Sequence, residues 1–183
     1  MIDADWATDV LSFWFEELRP QDWFERSDAV DETIRRRFGQ LHSALAEAAP
    51  SMSFDDPRTA LAAIIVLDQF SRNMFRGEAK AFATDSLALF IARHAVERDH
   101  DAAVPEQWRH FFYMPFMHSE TVSDQEHCVA LFSALSGDSV KYAIEHRDII
   151  ARFGRFPHRN EVLGRKTTAP EQAFLSEHKG FGQ

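Results

Sequence analysis

The chain reads as all-α, on three observations. It holds only seven glycines in 183 residues, and no Asn-Gly or Asp-Gly sits between alternating apolar residues, so hairpin signals are missing. Apolar side chains recur at three- and four-residue spacing along most of its length. Prolines and cap-forming residues stand mainly at the ends of those runs.

Seven or eight helices follow in order. Val10, Leu11, Trp14, Phe15 and Leu18 form one apolar face, which Pro20 stops. Val30, Ile34, Phe38, Leu41 and Leu45 form a second, ended by Pro50. A third helix begins after Pro57 and carries the run Ala60 to Leu67, apolar all round and therefore central. Asp85 is the expected N-cap of a fourth, with Leu87, Phe90, Ile91 and Ala95 inward. Pro105 opens a fifth through Trp108, Phe111 and Phe112, which Pro115 must kink or end. Ser123 and Glu126 have capping-box spacing for a sixth, through Leu131 and Leu135. A seventh follows Gly137 and stops near Gly154, and a short eighth starts after Pro170.

Connections are short, and no Ser/Pro/Gly linker divides the chain. The expectation is one all-α domain over residues 1–183 with a core from about 5 to 178. Its helices are antiparallel neighbours in a bundle or a tetratricopeptide-like superhelix. The tetratricopeptide consensus at a period of about 34 residues is not visible, so the residues alone do not give a repeat stack.

Composition bounds function. The hydrophobic fraction is 45%, with 17 phenylalanines, enough for one sizeable core. A net charge of −9 opposes general adhesion to nucleic acid or anionic membrane. The single cysteine, Cys128, fits a reducing cytosol, and the acidic start MIDADWATD lacks a signal pattern, so a cytoplasmic location is expected. No apolar run approaches the ~20 residues that span a bilayer.

Against this acidity, Glu145 to Asn160 gathers Arg147, Arg152, Arg155 and Arg159 with His146 and His158. Asp68 to Asn73 (DQFSRN) and His118 to Gln125 (HSETVSDQ) are similarly dense in polar groups within apolar surroundings. Such groups need partners, and partners far apart in sequence point to a shared site.

Helical wheels sort them. Lys141, Glu145, Asp148 and Arg152 share a solvated stripe, with Asp148 and Arg152 paired at i, i+4. His146 falls among Tyr142, Ile149, Ile150 and Phe153, and Arg147 near Val140, Ala143, Ile144 and Ala151. Either a buried ion pair or a ligand-facing donor accounts for that arginine. Asp68 shares a face with Leu61, Ile64 and Ile65, and Arg72 is its natural partner. Asn73 and Arg76 follow, placed either to face a ligand or to cap carbonyls. Asp124 and Gln125 fall on the side of Cys128, Leu131, Phe132 and Leu135. His118, Ser119 and Glu120 occupy the preceding turn, where polar groups are usually solvated.

Several long motifs then stand in a familiar order: VLSFWF (Val10 to Phe15), LDQFSRNMFRG (Leu67 to Gly77), AFATD (Ala81 to Asp85), MHSE (Met117 to Glu120) and HRDIIARFGRFPHRNEVLG (His146 to Gly164). Over about positions 10 to 175 the chain resembles the bacterial family known as domain of unknown function 924. That family would have Pro where Ser71 stands and an aliphatic residue where Phe116 stands. The resemblance implies an all-α, tetratricopeptide-like superhelical fold. It implies no established activity and supplies no catalytic residues.

Common chemistries leave few traces. HExxH and Cys-x-x-Cys are absent, and a lone Glu-x-x-His, Glu97 to His100, is half of what a di-iron bundle needs. His118, Glu120, Asp124, His146, Asp148 and His158 lack metal-ligand spacing, so no metal is expected. No G-x-S-x-G or phosphate-binding glycine loop occurs, and no cofactor is expected. Cys128 reads as a small core residue. Arg155, Phe156 and Arg159 could meet nucleic acid, but the net charge opposes it. Two expectations remain. The first is a binding module that holds a peptide, protein partner or small anionic ligand at a concave site. Its candidate residues are Arg72, Asn73, Arg76, His118, Glu120, Asp124, His146, Arg147, Arg155, His158 and Arg159. The second is a hydrolase of a phosphorylated or carboxylated metabolite, with His118 or His158 as acid/base.

Overall fold

The structure is a computed structural model that describes residues 5–49 and 52–178. Among these residues there is no strand. Within them eight helices make a bundle, in which the second to the seventh pack in order, each against its neighbour in sequence, and the first packs on the third.

Helix α1 runs over Trp6–Ser12 and continues as a π-helical turn over Phe13–Glu17. It buries Val10, Leu11, Phe13 and Trp14. Pro20 opens a short 3-10 turn, Pro20–Trp23, as a residue with fixed φ and no N–H suits a first turn. Ser27 caps α2 (Asp28–Ala48), which buries Ile34, Phe38 and Leu45. The expected stop at Pro50 lies outside the described residues.

Helix α3 is central. Asp56 caps it by accepting from the Thr59 N–H at 2.7 Å, and Pro57 takes the first position. It is α-helical over Pro57–Ile64, π-helical over Ile65–Phe70 and α-helical again over Ser71–Met74. Ala60 to Leu67 are wholly buried, because α1, α2, α4 and α5 pack around them.

Helix α4 (Asp85–Glu97) departs from expectation in two ways. Thr84, not Asp85, takes the N-cap position. Phe90 faces outward at 52% exposure, while Ala88, Ile91, Ala92 and Ala95 face in. The narrow, mostly alanine stripe fits against α3, and a phenylalanine would not.

Helix α5 (Glu106–Met117) runs through Pro115, so that proline does not end it. Helix α6 (Val122–Ser133) starts two residues earlier than the capping-box spacing requires. Thr121 is the N-cap, Ser123 lies inside the helix, and Glu126 is exposed. Gln125 supplies the junction instead. Its buried Nε2 donates to the carbonyls of Met117 and Ser119, each at 2.7 Å, and so satisfies the end of α5. Helix α7 (Val140–Phe153) ends at Gly154, whose φ of 68° is the left-handed conformation that closes a helix. A capping box between Thr168 and Glu171 starts α8 (Ala169–Glu177). None of the described helices is long and apolar enough to cross a membrane.

Candidate functional site

The second half of α3 sets the site. Its π-helical turn carries Asp68 and Gln69, and the last turn adds Arg72, Asn73 and, just beyond, Arg76. Single π-turns inside α-helices recur at functional sites because they re-aim side chains.

Asp68 is fully buried and well supplied with donors. His118 Nδ1 lies 2.7 Å from Asp68 Oδ1, and Arg72 Nη1 donates to the same oxygen at 3.1 Å. Gln69 Nε2 donates to Oδ2 at 2.6 Å. Burial alone would raise the Asp68 carboxyl, but the Arg72 charge and the His118 and Gln69 contacts outweigh it and hold it below the usual range. Asp68 is therefore ionised at neutral pH.

An ionised carboxylate only accepts, so the proton of neutral His118 sits on Nδ1. Burial, then the nearby Arg72 charge, lowers the His118 pKa and keeps the ring neutral. Its other nitrogen, Nε2, makes no hydrogen bond among the described residues. The turn position suggested solvation, but His118 is 7% exposed, since it closes α5 and turns inward to Asp68.

The network continues away from His118. Arg72 donates from both terminal nitrogens to Asp85, at 2.8 and 2.9 Å. Arg159, buried, reaches Asp85 Oδ2 at 3.4 Å and stands between the rings of Phe82 and Phe156, each centroid 4.6 Å away. Burial, and then Arg72, depress the Arg159 guanidinium to about 10, still charged at neutral pH. On the α2 side, Asp31 accepts from Asn73 Nδ2 at 2.7 Å and from Arg76 Nε at 2.8 Å.

A cleft of about 640 Å³ opens over these groups. Trp23, Phe24, Phe111, Met114, Met117, Phe132 and Tyr142 line it, with Gln69, Arg72, Asn73, Arg76, His118 and His146 among its polar members and Glu25, Gln107, His110 and Ser139 beside them. His146 Nδ1 donates to the Tyr142 carbonyl at 2.7 Å, and burial takes its pKa down to about 3. A second pocket, of about 40 Å³, shares Arg72 and Arg76 and adds Phe82, Val162 and His158. His158 is also neutral, lowered to about 3 by burial and then by Arg159.

Of the eleven candidates, Arg72, Asn73, Arg76, His118 and His146 thus meet at the cleft, with His158 and Arg159 next to it. The other four lie elsewhere. Arg147 is on the outer side of α7 and pairs with Asp148 at 2.6 Å. That contact also replaces the pair expected between Asp148 and Arg152, whose guanidinium lies over Phe153. Arg155 grips Glu171 at 2.6 and 2.9 Å and holds α8 to the chain. Glu120 accepts from Arg165 at 2.7 Å and from the Phe156 N–H at 2.8 Å. Asp124 accepts from Arg93 and from Ser119 Oγ.

Sequence reasoning missed Asp85, Asp31 and the aromatic and methionine walls. Asp31 had a visible signal, since it precedes Ile34 and Phe38 by three and seven residues on the buried face of α2. Asp85 was masked by its place at a helix start, which accounts for an acid without further help.

Comparison with known proteins agrees with this architecture. The family profile described as "Bacterial protein of unknown function (DUF924)" matches residues 10–179. A solved structure of a protein of unknown function from Agrobacterium tumefaciens is similar to this chain, with a TM-score of 0.89 and 43% identity. The likeness covers 94% of this chain and 97% of that one. No curated protein matches.

Proposed function

The chain belongs to the bacterial DUF924 family, whose description assigns no activity, and from the site itself we propose that it binds a small molecule. The ligand has an apolar body and a hydrogen-bond-accepting end, such as a carboxylate or a carbonyl. One observation carries this reading: apolar walls and convergent polar side chains share one cleft of about 640 Å³. That volume lies within the roughly 300–1,000 Å³ usual for small-molecule sites.

The chemistry of the lining supports an acceptor on the ligand. Arg72, Asn73, Arg76 and Gln69 are donors or carry donors, while the walls are aromatic or thioether. Asp31, Asp68 and Asp85 balance the arginine charges and fix their forks in place. A binding group held this way loses little freedom when a ligand arrives.

The test is a thermal-shift titration of the full chain with phenylacetate, octanoate and the neutral analogue phenylacetamide. A saturating probe should raise the melting temperature and change the fluorescence of Trp23, which lines the cleft. Gln107→Trp, at an exposed rim position, should fill the opening and abolish the shift without unfolding the protein. If no probe shifts the wild type, this reading is wrong.

A further inference from the structure

We propose that Asp68 and His118 form a catalytic dyad that hydrolyses a carboxylic ester held in the cleft, with His118 as general base. This rests on the cleft being a ligand site, and goes further by assigning it chemistry.

The geometry argues for a base rather than an ion pair alone. Arg72 already neutralises Asp68 through a contact one helical turn away. A second partner is nonetheless brought from 50 residues along the chain, and it is an imidazole. The 2.7 Å contact fixes the tautomer with Nδ1 protonated. It leaves the Nε2 lone pair without a hydrogen bond among the described residues, on a side chain that lines the cleft. A carboxylate that orients an imidazole and steadies its cation is the recurrent support for a histidine base.

The nucleophile is water. Ser71 Oγ is committed to His42 at 2.6 Å and Thr84 at 2.8 Å, and Cys128 is wholly buried with its thiol pushed further toward the protonated form. His118 Nε2 takes a proton from water, and the water oxygen bonds to the ester carbonyl carbon. The carbonyl electron pair moves onto its oxygen. Asn73 Nδ2, with one N–H on Asp31 and a second to offer, stabilises that oxygen together with the Arg76 charge. When the pair returns, the bond to the alkoxy oxygen breaks, and the proton on His118 passes to that leaving group. One ester and one water give one acid and one alcohol, with no change of oxidation state.

His118 is the catalytic residue, and Asp68 is a positioning residue. The charged or titratable groups around the ring are Asp68 and Arg72 of α3, Asp85 of α4, His146 of α7, and His158 and Arg159 beyond it. With the ring neutral at pH 7, kcat should be on its plateau there and fall on acidification.

The experiment follows 4-nitrophenolate release from 4-nitrophenyl acetate, butyrate and octanoate by the full chain. Wild type should exceed an equal concentration of imidazole. His118→Asn keeps a donor near the Nδ1 position toward Asp68 but removes the base. It should lose kcat at least ~100-fold while remaining folded by far-UV circular dichroism. Asp68→Asn should lower kcat and displace the acid limb of the pH profile, which a merely structural residue would not do. If Asp68→Asn does not fold, His118→Asn decides alone. No turnover by the wild type, or unchanged kcat in His118→Asn, overturns the dyad. In either case a retained phenylacetate shift leaves the binding reading standing, and loss of that shift in the wild type removes both.

Discussion

Arg72 and Arg159 meet on one carboxylate: Asp85 Oδ2 accepts from Arg72 at 2.9 Å and from Arg159 at 3.4 Å. The shorter, two-pronged contact belongs to Arg72. Asp85→Asn should therefore destabilise strongly, by about 3–5 kcal/mol, since it strands buried Arg159 and leaves Arg72 with Asp68 alone. Arg159→Met should cost less, because Arg72 retains its partner and a thioether can fill the slot between Phe82 and Phe156. Urea unfolding ranks the two, and an Arg159→Met as damaging as Asp85→Asn would contradict the unequal sharing.

Asp68 and Arg72 should be thermodynamically coupled. Asp68→Asn and Arg72→Met each leave a buried charge short of a partner, so each should lower stability by a few kcal/mol. The double variant should lose less than the sum. Additive losses in a double-mutant cycle would remove the case for the pair.

Stability should fall with acidification well before the carboxylates titrate. Burial lowers His42 to about 4, and His146 and His158 to about 3, from an ordinary 6.5. The unfolded chain therefore binds protons in this range that the folded chain refuses. The contribution is fully present above the unfolded value and drains away as pH drops toward the folded one, at about 1.4 kcal/mol per pH unit for each ring. Asp68, also lowered, adds a further loss below the ordinary carboxylate range. Urea midpoints measured from about pH 7 down to about pH 5 should decline steadily, and a flat profile would show that these rings charge in place.

The Arg155–Glu171 contact ties α8 to the loop after α7, outside the main core. Glu171 is held low chiefly by that arginine. Arg155→Met should make the segment after Gly164 sensitive to limited proteolysis and leave the principal melting transition within a few degrees of wild type. Collapse of the whole transition would mean that α8 is integral to the core.

The fold was largely legible because burial follows periodicity. Ala60 to Leu67 lies at the centre as its unbroken apolarity requires, and Gly154 closes α7 as a glycine there should. Errors came where a second physical rule overrode the pattern. Phe90 has the right spacing for the core, but α4 needs small residues to approach α3. Ser123 has the right spacing for a cap, but Gln125 binds the carbonyls of the preceding turn and starts the helix earlier. The site was legible as a set of residues that needed partners, not as partnerships. Arg147 and Arg159 look alike in sequence. Arg147 meets its neighbour Asp148 on the outer side of α7, whereas the path of the chain after Gly154 carries Arg159 inside to Asp85. The π-helical turn in α3 also defeats a wheel drawn at 3.6 residues per turn, because it shifts the phase of everything after Ile65.

The contacts that assemble the cleft and the network beside it span long stretches of chain: 42 residues from Asp31 to Asn73, 50 from Asp68 to His118, and 74 from Asp85 to Arg159. During synthesis, helices can form as they emerge, but this network cannot close until Arg159 has left the ribosome and the chain has returned to α4. Loop-closure entropy makes such long-range contacts late ones. Recovery of Trp23 fluorescence sensitivity to a cleft probe should therefore lag behind the recovery of helical circular dichroism on refolding. The cleft would then act as a timer, open to its ligand only when the chain beyond α7 has returned to α4.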